Sequence, residues 1–132
     1  MIDQVDHIGI AVQDLGAAID FYHGALGLGE AEIEDVPEQQ VRVAILHAGE
    51  TRIELLQSTS PDGPVGRFLE KRGEGIHHIC FRVDDIEQAL ERLRQAGARL
   101  IDERPRIGAG GRRIAFVNPR SAHGVLIELS EQ

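Results

Sequence analysis

The chain is one pattern written twice. The run Asp6-His7-Ile8-Gly9-Ile10-Ala11-Val12 has a counterpart in His77-His78-Ile79-Cys80-Phe81-Arg82-Val83. Each opening is followed by a helix-like stretch and then by strand-like segments, and the last of these encloses a Glu. In the first copy that closing segment is Arg52-Ile53-Glu54-Leu55-Leu56, and in the second Leu126-Ile127-Glu128-Leu129. A repeat of about 60 residues buries too little apolar surface to be stable alone. The two copies are therefore expected to complete one another as a single domain over residues 1–132, with module one at about 4–57 and module two at about 76–130.

Hydrophobic periodicity orders the elements within each copy. Residues 4–12 alternate as a strand, with Ile8, Ile10 and Val12 on one face and His7, Gly9 and Ala11 on the other. Asp14 caps a helix whose apolar stripe is Leu15, Ala18, Ile19, Tyr22 and Leu26, and Gly27 and Gly29 end it. Strands are predicted near 30–36, 41–47 and 51–57, the last two joined by a short turn at His47-Ala48-Gly49-Glu50-Thr51. The Pro61-Asp62-Gly63-Pro64 breaker and a short helix over 65–71 separate the copies. The second copy repeats the order: a strand at 76–83, a helix capped by Asp84 or Asp85 and ended by Gly97, then strands near 99–103, 112–117 and 124–129. The fold class is α+β, two tandem βαβββ modules pairing into one cup-shaped mixed sheet.

Composition narrows the function. The chain has 132 residues, 42% hydrophobic and 27% charged, with a formal net charge of −8. That balance disfavours a nucleic-acid or anionic-membrane surface. No apolar run approaches a membrane span, and the opening residues lack a secretory pattern. With one cysteine, Cys80, no intrachain disulfide forms, and a cytoplasmic location is expected. Cys80 reads as a packing residue rather than a nucleophile. Arg104, Arg106, Arg112 and Arg113 form a local basic cluster that reads either as a solvated patch or as a holder of phosphate or carboxylate.

Side-chain direction singles out four residues. His7, Glu54, His78 and Glu128 each lie on the strand face opposite the densest aliphatic row. A Glu in such apolar company needs a partner. Two imidazoles and two carboxylates at equivalent places of a duplicated module make a divalent metal site. His77 neighbours His78 but points the other way. His23, His47 and His123 have no counterpart in the other copy and read as surface or supporting residues.

With these segments in hand, the chain resembles the vicinal oxygen chelate superfamily, and within it the methylmalonyl-CoA epimerases. The resemblance is carried by the two His-opened strands, Pro37-Glu38-Gln39, the run from Phe68 to Ile79, the run from Asp102 to Gly108, and Gly124-Val125-Leu126-Ile127-Glu128-Leu129. It implies interconversion of (R)- and (S)-methylmalonyl-CoA by α-proton abstraction through a metal-stabilised enolate. It also implies a homodimer and one divalent ion, cobalt or manganese first and nickel or zinc next, held by His7, Glu54, His78 and Glu128. Glu128 is the first candidate base. Relatives place a Glu on the third strand where this chain has Val43, which cannot move a proton, so Glu54 is the candidate for the second base and Glu38 a further one. Some relatives carry Gln where this chain has Glu54. The rival readings are a glyoxalase I type lactoylglutathione lyase and a non-catalytic small-molecule-binding protein of the same fold.

Overall fold

The computed structural model describes residues 2–132, the side chain of residue 109 excepted. Its backbone contacts divide the chain into two units: His7–His77, and His78–Gln132 together with the residues up to Asp6. The strand β1, Ile2–Ala11, supplies its first residues to the second unit and the rest to the first.

In the first unit β1 is followed by α1 (Leu15–Ile19), β2 (Glu32–Val36), β3 (Val41–Ala48), β4 (Thr51–Ser58) and α2 (Pro64–Arg72). The strand order is β2-β3-β4-β1, with β4 parallel to β1 and β3 antiparallel to β4 and β2. Asp14 caps α1 as expected, its Oδ1 accepting from the Ala17 N–H at 3.0 Å. On one sheet face Val12, Leu15, Ala44, Leu46 and Leu55 pack beneath α1. On the other, Ala11, Val41, Val43 and Leu56 pack with Val65 of α2.

The second unit contains most of β5 (Gly75–Val83), then α3 (Ile86–Gln95), β6 (Arg106–Ile107), β7 (Arg113–Val117) and β8 (Leu126–Glu131). The order is β5-β8-β7-β6, with β5 parallel to β8 and β7 antiparallel to β8 and β6. Asp85, rather than Asp84, caps α3, accepting from the Gln88 N–H at 3.1 Å. Val83, Ile86, Leu90, Ala115 and Leu129 form the core beneath α3. In both units the opening strand lies parallel to the closing strand, so the duplication read from the sequence is also a duplication of topology.

Two elements depart from expectation. The helix from Leu15 keeps α geometry only to Ile19 and continues as a π-helix over Asp20–Ala25. The Leu26 N–H reaches back to the Phe21 carbonyl at 2.7 Å, and the ring Nδ1–H of His23 donates to the Leu28 carbonyl at 2.7 Å. The wider turn leaves Leu26 exposed, so its place in the apolar stripe does not translate into burial. The strand expected at 99–103 is reduced to one bridge, Leu100 with Val117. The N–H groups of Ile101 and Asp102 both converge on the Phe116 carbonyl, and the Asp102 carboxylate accepts from the Phe116 N–H at 2.8 Å. A side-chain oxygen thus occupies the donor that a ladder carbonyl would have taken, and the chain peels away from β7.

Candidate active site

In the first unit the ladder puts three rows of residues on the α2-bearing face. The row beneath the helix is Val43, Leu56 and Ala11; the next is Ile45, Glu54 and Gly9; the last is His47, Arg52 and His7. Gly9 stands directly across from Glu54 with no side chain to crowd the carboxylate. His7 Nδ1 lies 3.7 Å from Glu54 Oε2, and His7 is 8% exposed. Arg52, which the sequence reading did not single out, completes a triad: its Nε and Nη2 both approach Glu54 Oε2 at 3.4 Å, and Nη2 is 3.4 Å from His7 Nδ1. The guanidinium neutralises the carboxylate and fixes its direction. Strand alternation places Arg52 on Glu54's face two residues earlier, but only the ladder register sets it beside His7.

The second unit repeats the arrangement. Cys80, Glu128 and Phe116 form the row equivalent to Gly9, Glu54 and Ile45, and His78 precedes Cys80 as His7 precedes Gly9. His78 Nε2 lies 3.4 Å from Glu128 Oε1, with the two residues 8% and 9% exposed. The Phe116 ring stands edge-on to His78, with centroids 6.4 Å apart. Cys80 is fully buried, as a packing residue should be.

Each unit therefore holds one imidazole against one carboxylate on the sheet face away from its α1 or α3 helix. Such a carboxylate is costly to bury unless a cation or a proton compensates it. An imidazole nitrogen and a carboxylate oxygen are donors that divalent cobalt, manganese, nickel or zinc accepts, so the residues of each half fit the kind of metal that the resemblance implies.

The remaining candidates separate cleanly. His77 turns away from the His78 face and packs edge-on against Phe68 at 5.0 Å. His123 sits at φ 56° in the turn after Pro119–Ala122, and His47 is exposed. Glu38 lies on an exposed 3-10 turn, Pro37–Gln39. Val43 is buried in an aliphatic cluster, directly across from Glu34 on β2.

The basic cluster is not one patch. Arg113 pairs with Glu131 at 2.9 Å and Glu87 at 3.3 Å, which holds its guanidinium firmly charged. Arg112 approaches the buried Asp6 at 3.9 Å. Arg106 pairs with Asp102 at 3.2 Å and lies over the Phe116 ring.

Known proteins are similar to this chain in sequence and fold. The family model described as the glyoxalase/bleomycin resistance protein/dioxygenase superfamily matches residues 6–116. An ethylmalonyl-CoA/methylmalonyl-CoA epimerase from Cereibacter sphaeroides is 41% identical over 133 residues, covering 99% of this chain and 99% of the relative. The solved structure of a Streptomyces coelicolor methylmalonyl-CoA epimerase variant in complex with 2-nitronate-propionyl-CoA has a TM-score of 0.89 and 38% identity, covering 100% of this chain and 96% of that one. A methylmalonyl-CoA epimerase in complex with methylmalonyl-CoA and ammonium gives the same TM-score, identity and coverage. By sequence and fold, the chain belongs to the glyoxalase/bleomycin resistance protein/dioxygenase superfamily.

Proposed function

We propose that this protein is an enzyme, a methylmalonyl-CoA epimerase that interconverts the (R) and (S) thioesters at the α-carbon. The observation that carries the reading is the repeated row, in which an imidazole and a carboxylate face one another in each half of a chain whose relatives are epimerases. The two modules work as one domain, and His7, Glu54, His78 and Glu128 together hold one divalent ion. Such an ion would supply Lewis-acid chemistry, stabilising negative charge that develops on the substrate.

The chain's own residues divide the remaining work. Glu128 takes the α-proton from one face, and Glu54, its counterpart in the other half, delivers a proton to the opposite face. Each carboxylate has two oxygens, so holding a cation and moving a proton are separable duties. Arg52 keeps Glu54 directed toward His7. The aliphatic cluster of Val41, Val43 and Leu56 excludes water beside Glu54, and Val43 leaves the second proton step to Glu54 itself.

The protein acts as a homodimer in the cytoplasm. None of the described helices is long and apolar enough to cross a membrane. A lactoylglutathione lyase is the less supported reading, since the relatives above, at 38–41% identity, are epimerases.

The test is exchange of the substrate α-proton with solvent deuterium. The wild-type protein is expected to exchange it, and Glu128→Gln to lose exchange by about a hundredfold or more while retaining its metal. Near-normal exchange in that variant would remove Glu128 from the mechanism.

A further inference from the structure

Arg106 is held as a recognition residue is held, but nothing assigned so far uses it. One oxygen of Asp102 accepts from the Phe116 N–H at 2.8 Å, and the other lies 3.2 Å from Arg106 Nε. Asp102 therefore ties the arginine to the backbone of β7. The guanidinium carbon stands 5.3 Å from the centroid of the Phe116 ring, within the range of a cation–π contact. Phe116 in turn lies directly across from Glu128 in the ladder and edge-on to His78. The arginine is thus fixed on two sides, one aromatic ring away from the His78–Glu128 pair. Nε is committed to Asp102, while the side chain as a whole is 57% exposed, which leaves Nη1 and Nη2 as the donors for a ligand. A planar, preoriented pair of N–H donors suits a carboxylate or a phosphate. Its neighbours have other duties: Arg112 leans on buried Asp6, and Arg113 is committed to Glu131 and Glu87.

We infer that Arg106 binds an anionic oxygen of the acyl-CoA substrate through Nη1 and Nη2, with Asp102 and Phe116 as its mounting. The inference rests on the acyl-CoA reading above. The anion has two sources, the free carboxylate of the acyl group and the phosphates of the CoA moiety.

Calorimetric titration separates them without relying on turnover. The metal-loaded wild-type protein, Arg106→Gln and Arg106→Lys are titrated with methylmalonyl-CoA, with propionyl-CoA, which lacks the carboxylate, and with methylmalonyl-pantetheine, which lacks the phosphates. Arg106→Gln is expected to weaken methylmalonyl-CoA about ten- to a hundredfold, and Arg106→Lys by less, since charge survives but the bidentate fork does not. A penalty that disappears with propionyl-CoA assigns the acyl carboxylate. One that disappears with methylmalonyl-pantetheine assigns the phosphates. Equal affinities of wild type and Arg106→Gln for all three ligands would overturn the inference and leave the epimerase reading intact. A wild-type protein that binds none of them would overturn both.

Discussion

Glu54 shows how one side chain carries an argument that its neighbours must complete. It faces His7, is held by Arg52 and stands across from Gly9, so it is directed and uncrowded. Gln at this position would keep an oxygen donor for the metal but could not carry a proton at neutral pH. Glu54→Gln is therefore expected to retain metal and to lose epimerisation by about a hundredfold or more, measured as interconversion of the two epimers. Full activity in that variant would leave Glu54 as a ligand only and place the second base elsewhere. The His and Glu pairs were legible in the sequence because alternation in a strand reports direction and the repeat marks equivalent positions. Arg52 was not, because an arginine two residues before a glutamate also describes an ordinary solvated strand face. Only the register that sets it beside His7 separates the two descriptions.

At the scale of elements, the second module is fastened by its last strand. Glu131 accepts from Arg113 Nε at 2.9 Å and from Arg113 Nη2 at 3.1 Å, and its Oε2 also takes the Ile86 N–H at 3.0 Å, at the start of α3. One carboxylate joins β8 to β7 and to the first turn of the helix. The Arg113 guanidinium first, and the Ile86 N–H second, hold its pKa below the usual carboxylate value. A carboxylate with a folded-state pKa below its unfolded one contributes stability above the unfolded value and loses it as pH falls through the folded value. Glu131→Gln is accordingly expected to lower the thermal midpoint by a few degrees at neutral pH, with the gap from wild type closing in acid. A gap that stays constant between neutral and acidic pH would remove the charge from the explanation. The opening strand and helix cap of each module were readable because alternation and an Asp before an apolar stripe are local signals. The missing strand near 99–103 was not readable, because its fate is decided by Asp102 capturing the N–H of a residue fourteen positions on. The basic cluster failed as a unit for a similar reason: its arginines are adjacent in sequence, but Arg113 and Arg106 answer to different carboxylates.

For the molecule as a whole, the proposed function makes each half incomplete alone. One imidazole and one carboxylate make half of a coordination set, and a unit of this size has a small core. If one ion draws ligands from both halves, metal binding is linked to the stability of the entire chain. A ligand that binds only the folded state stabilises it by about 4 kcal/mol at a free concentration a thousandfold above its Kd. Chelation is then expected to lower the thermal midpoint of the full chain as a single transition, and readdition of cobalt or manganese to restore it. The repeat adds a sharper requirement. His7 and His78 occupy equivalent positions on β1 and β5, so His7→Ala and His78→Ala should each abolish stoichiometric metal and reproduce the chelated midpoint. If His7→Ala loses the metal while His78→Ala keeps it, the ion belongs to one half, and the repeated His–Glu pair is a relic of duplication rather than the basis of catalysis. Metal content and midpoint measured on the same two variants decide between those outcomes whether or not either variant retains activity.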